Sequence, residues 1–208
     1  MPGTVFVFAH GAGGHQDDRG MLALDAELRG RGVLPVRFNF PYRAQGSRRP
    51  DRMPVLMQTI RETCEQARAQ HRPSRLIIGG RSMGGRAASM LAAEGYPCDG
   101  LLLFAYPLHP AGKPEKLRDA HLASIRVPVL CFNGTRDALC TPDLMVQATA
   151  SLPGWTMHWL EGADHSFHVL KSSGRTDAQV IEESGRTTEA WLASLPRAAR
   201  PSAEGEHP

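Results

Sequence analysis

Ser82 stands in Gly80-Arg81-Ser82-Met83-Gly84, a Gly-x-Ser-x-Gly turn between the apolar run Leu76-Ile77-Ile78-Gly79 and a segment rich in small residues. A serine on such a strand-to-helix turn sits in strained backbone, and its neighbours must be small for strand and helix to approach. The turn lifts the hydroxyl above a sheet and sets it at a helix N-terminus. Unpaired N–H groups and the helix dipole there favour developing negative charge. Ser82 is therefore a candidate nucleophile. A serine hydroxyl is weak near neutral pH, so a base must take its proton and later return it to the leaving group. His165, closing Glu161-Gly162-Ala163-Asp164-His165, is the candidate base, with His168 as its rival. Asp137, closing Asn133-Gly134-Thr135-Arg136-Asp137, is the candidate acid that would hold the imidazole tautomer and stabilise the imidazolium. Asp164 is its rival, but an aspartate adjacent to the histidine is poorly placed to reach the ring. An oxyanion would be bound by the N–H of Met83 and by one from His10-Gly11-Ala12-Gly13-Gly14, with Ala12 the first choice and Gly13 next.

The remaining polar residues are read more plainly. His10 is expected to order its loop. Arg43, Arg48, Arg49 and Arg52 lie in one loop. Arg43, just past a strand end, is the one expected to touch an anionic substrate group, and Gly13 is a second substrate contact. The other three are expected to be solvated. Arg81 and Arg86 flank the serine turn and are expected to start the helix or form salt bridges. Met83 is expected to pack, and Cys140 to be a buried, inert thiol.

Each candidate needs a strand to end where it stands. Thr4–Ala9 is a continuous apolar run, as expected for a strand buried on both faces of a parallel sheet. Further strands are expected over 33–40, 76–79, 100–106, 127–133 and 155–160. Helices are expected over 18–31, from about 54 to 71, 83–94, 142–151 and 177–194, with Asp51 near the N-cap of the second and Pro54 in its first turn. The polar crossover 107–126 is expected to hold a short helix over 115–123. Strand–helix alternation with about six strands predicts a doubly wound, mostly parallel α/β sheet, and ligands bind such sheets outside the carboxyl ends of the strands. Residues 1–196 read as a single domain and 197–208 as a disordered tail.

Composition narrows the function classes. With 24 basic and 21 acidic residues the net charge is +3, which argues against a nucleic-acid partner. The run Val5–Ala9 is too short for a signal peptide or a membrane span. Cys64, Cys98, Cys131 and Cys140 show no metal-ligand spacing; three are expected within helix or strand, as reduced thiols of a cytoplasmic protein. No metal or organic cofactor is implied, and the expected partner is a small-molecule ester or acyl substrate.

Taken together, the His10–Gly13, Gly80–Gly85, Asn133–Asp137 and Gly162–His165 motifs resemble the α/β-hydrolase superfamily. With Asn39-Phe40-Pro41-Tyr42-Arg43 and Tyr106-Pro107-Leu108-His109-Pro110, the chain looks most like compact predicted hydrolases related to the testis-expressed hydrolase-like proteins and to subunit 3 of the NSL chromatin complex. The resemblance implies a minimal α/β-hydrolase fold without a large lid, lacking the first two strands of larger hydrolases, and a serine hydrolase acting on esters or thioesters. It also leaves room for a non-catalytic scaffold, or for a peptidase or dienelactone-type hydrolase.

Overall fold

The computed structural model describes residues 3–196; the tail expected at 197–208 lies outside the described residues. Six strands form one parallel sheet: β1 (Thr4–Ala9), β2 (Val33–Phe38), β3 (Arg75–Arg81), β4 (Gly100–Phe104), β5 (Val129–Gly134) and β6 (Trp155–Leu160), in the spatial order β2-β1-β3-β4-β5-β6. The chain runs outward from β1 to β2, then returns to β3 on the other side. The order therefore reverses between β1 and β3, where open α/β sheets form their binding crevice.

Alternation along each strand builds two apolar layers. Val5, Val7, Leu76, Ile78, Leu101, Leu103, Val129 and Cys131 pack against the layer of α3 (Met53–His71), α4 (Met83–Ala93) and α5 (Pro142–Thr149). Phe6, Phe8, Ile77, Leu102, Phe104, Leu130 and Phe132 pack against α1 (Arg19–Gly30) and α6 (Asp177–Ser194). Both faces are covered, which is why the strands read as continuous apolar runs. Among the described residues no helix is long and apolar enough to cross a membrane.

Four expectations need correction. The arginine loop contains a short helix, α2 (Pro41–Ala44), with Pro41 at its start. Asp51 does not cap α3: Arg52 holds that position without a side-chain bond, and the Asp51 carboxylate accepts the Tyr42 N–H at 3.0 Å, serving α2 instead. The crossover after β4 has no helix over 115–123, only a 3-10 turn at Leu122–Ser124. Its backbone is held by tertiary bonds, Arg118 N–H to the Leu108 carbonyl and Tyr106 Oη to the Arg118 carbonyl, both at 2.7 Å. Finally, only Cys64 and Cys131 lie within helix or strand.

Candidate active site

The serine turn is built by close approach. Gly80 and Gly84 lie against the end of β1: a Cβ at Gly84 would stand 2.6 Å from the His10 carbonyl oxygen and 2.7 Å from Ala9 Cβ. Ser82, between them, has φ 50° and ψ −116°, a region that non-glycine residues rarely occupy. The strain projects the side chain above the sheet at the start of α4. Gly84→Ala should force the strand and helix apart, lowering stability by about 1–3 kcal/mol in urea unfolding.

The three candidates from three strand ends come together. His165 Nε2 lies 2.9 Å from Ser82 Oγ, and His165 Nδ1 lies 2.8 Å and 2.9 Å from the two Asp137 oxygens. A carboxylate only accepts hydrogen bonds, so Nδ1 carries the proton and Nε2 is free to accept from the serine hydroxyl. Asp137 is fully buried at its side chain, while His165 keeps 28% of its side chain exposed, so the imidazole faces solvent and the carboxylate does not.

The rivals are occupied elsewhere. His168 bonds Asp177 at 3.0 Å, and that bond raises its pKa above the ordinary histidine value. Asp164 Oδ1 accepts the N–H groups of Ser166 at 2.7 Å and His168 at 3.0 Å, closing the loop that carries His165.

The loop after β1 passes directly beside the serine; a Cβ on Gly11 would lie 3.5 Å from Ser82 Cβ. The N–H groups of Met83 and Ala12 donate no hydrogen bond among the described residues, whereas Gly13 N–H donates to Tyr42 Oη at 3.2 Å. His10 is fully buried. Its Nδ1–H donates to the Gly11 carbonyl at 2.8 Å, and Nε2 accepts from Phe40 N–H at 3.3 Å. Burial lowers its pKa, so it stays neutral and orders the loop, as expected. Arg43 is half-buried on α2, with Nη1 on the Ser47 carbonyl at 3.1 Å and a buried Nε that has no partner among the described residues; Arg48, Arg49 and Arg52 are exposed.

An Alpha/beta hydrolase domain model matches residues 2–193. The chain belongs to the α/β-hydrolase family. Among solved structures, an α/β serine hydrolase without lid from Xanthomonas campestris superposes with a TM-score of 0.68 at 23% identity, over 97% of this chain and 85% of that one. Est1E from Butyrivibrio proteoclasticus, with ferulic acid bound, gives 0.73 at 16% identity, over 93% and 90%. A dienelactone hydrolase from Anabaena variabilis gives 0.67 at 17%, over 95% and 88%. This α/β-hydrolase shares their fold and, like the first of them, has no lid: the crossover that would carry one holds only the 3-10 turn.

Several groups escaped sequence reading. Asn133, fully buried, donates Nδ2–H to Asp137 Oδ2 at 3.2 Å and to the Tyr106 carbonyl at 3.0 Å, while its Oδ1 accepts Tyr106 N–H at 3.2 Å. Leu139 N–H donates to Asp137 Oδ1 at 2.8 Å. Among the described residues Arg81 makes no salt bridge; it donates to the His165 carbonyl. The buried Nε of Arg86 has no partner among the described residues. Cys140 is fully buried, and burial pushes its thiol up to about 12, so it is no thiolate nucleophile. Among the described residues no group of three His, Cys, Asp or Glu side chains could hold a metal ion.

In the crossover after β4, His121 Nε2 meets Ser89 Oγ of α4 at 2.8 Å. Burial, and next the Arg86 charge, pull its pKa down to about 4. The unfolded histidine binds its proton near 6.5, so between about pH 6.5 and 4 the unfolded state gains a proton the folded state refuses. Stability should fall as pH drops through that window, by about 2 kcal/mol after allowing for partial exposure. Urea unfolding at pH 7 and pH 4.5 should show this loss, and His121→Asn should remove that part of it.

Proposed function

We propose that this α/β-hydrolase is a serine hydrolase that cleaves a carboxylic ester or thioester through an acyl-enzyme. The observation that carries the reading is the unbroken relay from Ser82 Oγ through His165 to buried Asp137, every link at 2.8–2.9 Å. Ser82 Oγ attacks the acyl carbon as its proton passes to His165 Nε2. Asp137 stabilises the imidazolium, and the oxyanion is held by the N–H groups of Met83 and Ala12. The intermediate collapses, His165 protonates the departing alkoxide or thiolate, and the acyl group stays on Ser82. Water then gives its proton to His165 and attacks the acyl carbon, releasing the acid and restoring the serine. Arg43 is the side chain proposed to meet an anionic group on the substrate. The lidless crossover favours small or exposed acyl groups. Within the family we propose kinship with the testis-expressed hydrolase-like proteins and NSL subunit 3, on the Asn39–Arg43 and Tyr106–Pro110 segments.

A fluorophosphonate probe is expected to label Ser82 in the folded protein and to leave Ser82→Ala unlabelled, alongside turnover of a short-chain p-nitrophenyl ester. Equal labelling of the two proteins, or none of either, would favour an interaction protein with a hydrolase fold. Peptide cleavage without ester turnover would favour a peptidase.

A further inference from the structure

Arg81 ends β3 and immediately precedes Ser82, yet its side chain reaches the loop that carries His165, 84 positions away. Nη2 donates to the His165 carbonyl oxygen at 2.9 Å, and the guanidinium carbon lies 5.6 Å from the centre of the Phe167 ring. Phe167 is buried with φ 65°, a left-handed conformation that is costly for an aromatic residue and persists only where its surroundings impose it. No carboxylate touches Arg81 among the described residues; Asp164, Asp18 and Asp137 act on it only through space, while burial lowers its pKa. Removing a cation from water without an ionic partner is unfavourable, so an ordinary salt-bridge role does not account for the placement.

The surroundings explain what else could hold this loop. Behind it lies a cavity of about 580 Å³ between α1 and α6, lined by Gly20, Ala23, Phe167, His168, Ala178 and Ile181 together with Arg81 itself. On that side the loop lacks the close packing that fixes most buried segments. The guanidinium supplies two contacts there, one to the backbone of His165 and one to the ring of Phe167, beside the bonds of His168 and Val169 to Asp177 on the same wall.

We propose that Arg81 is the positioning residue for His165, fixing the loop so that the imidazole stands between Ser82 and Asp137. The inference rests on the hydrolase reading above. One side chain thereby ties the nucleophile turn to the base loop. The seat for this arginine is Gly20, in the first turn of α1, where an added Cβ would overlap Arg81 Nη1. Alanine is otherwise the better helix former. Gly20→Ala therefore displaces the guanidinium while leaving every reacting group in the chain.

The test compares Arg81→Ala, Arg81→Lys and Gly20→Ala on a short-chain p-nitrophenyl ester, with the low-field NMR signal of the His165 Nδ1–H as a second readout. Arg81→Ala should lose about tenfold or more in kcat with KM changed by less than about twofold, since small misplacements of a catalytic group are costly. Arg81→Lys should fall between Arg81→Ala and wild type. Guanidinium chloride at sub-denaturing concentration, entering through the cavity, should restore part of kcat in Arg81→Ala and none in Ser82→Ala. Gly20→Ala should lower kcat without lowering the thermal midpoint. The Nδ1–H signal should move or broaden in Arg81→Ala. Unchanged kcat together with an unchanged signal would overturn the proposal. Wild-type protein that neither turns over nor takes the fluorophosphonate would overturn the hydrolase reading instead, and the Nδ1–H signal would still decide the role of Arg81.

Discussion

Ser82→Ala is expected to lower kcat on a short-chain p-nitrophenyl ester by about 10⁶-fold, the loss seen when a serine nucleophile is removed from a working triad. His165→Ala should cost nearly as much, because the hydroxyl 2.9 Å from Nε2 then has no acceptor for its proton. The double variant should be no worse than either single one: the two groups act in one step, so removing either removes the step. Losses that multiply would mean that the two residues act separately, and the relay reading would fail. The same position carries a second expectation. Ser82 has φ 50°, which glycine adopts without strain, so Ser82→Gly should be inactive yet more stable by about 1 kcal/mol in urea unfolding. A stable, inactive variant separates loss of the nucleophile from loss of the fold.

The parts of this molecule that were legible in sequence are those where local chemistry and tertiary role agree. The apolar run Thr4–Ala9, the serine turn, and the strand and helix at 155–160 and 177–194 each carry their own punctuation, and the structure has them at those bounds. The doubly wound sheet followed from strand–helix alternation. The candidates Ser82, Asp137 and His165 were legible because each follows a strand end, and all the strands of a parallel sheet end on one side. What was hidden depends on partners distant in the chain. Asp51 reads as a helix cap, but Tyr42 claims it. The segment 115–123 has helix-compatible residues, but Tyr106 and Leu108 pin its backbone in another shape. Arg81 reads as a helix-start or salt-bridge residue, and only the fold brings the His165 carbonyl and the Phe167 ring to it. Asn133 sits inside a motif quoted for Asp137, yet nothing local says that its amide joins β5 to Tyr106, just past β4, while bonding that carboxylate.

Asp137→Asn is expected to reduce kcat by about 10⁴-fold while KM changes little, and the cause lies in which groups face the side chain. Leu139 N–H donates to one oxygen at 2.8 Å and Asn133 Nδ2–H to the other at 3.2 Å, so both oxygens are held by donors. An asparagine here has one acceptor and one donor to offer. With its oxygen toward Leu139, its amide N–H points at Asn133 and at the imidazole, and His165 Nδ1 must then accept. The proton moves to Nε2, which faces Ser82, and the ring can no longer take the hydroxyl proton. With the amide turned over, its N–H meets Leu139 N–H, again donor against donor. Either orientation leaves a buried donor unsatisfied, so a stability loss of about 1–3 kcal/mol should accompany the loss of turnover. Ester kinetics and urea unfolding of the same preparation check both halves. A loss below tenfold would mean that His165 finds its tautomer without Asp137, and the assignment of the acid would not survive it. The two donors come from β5 and the turn after it, so the carboxylate is held independently of the loop that carries His165. In the proposed relay the carboxylate is the end held by β5 and its turn, and the loop that carries His165, bonded by Arg81, is the end that meets it.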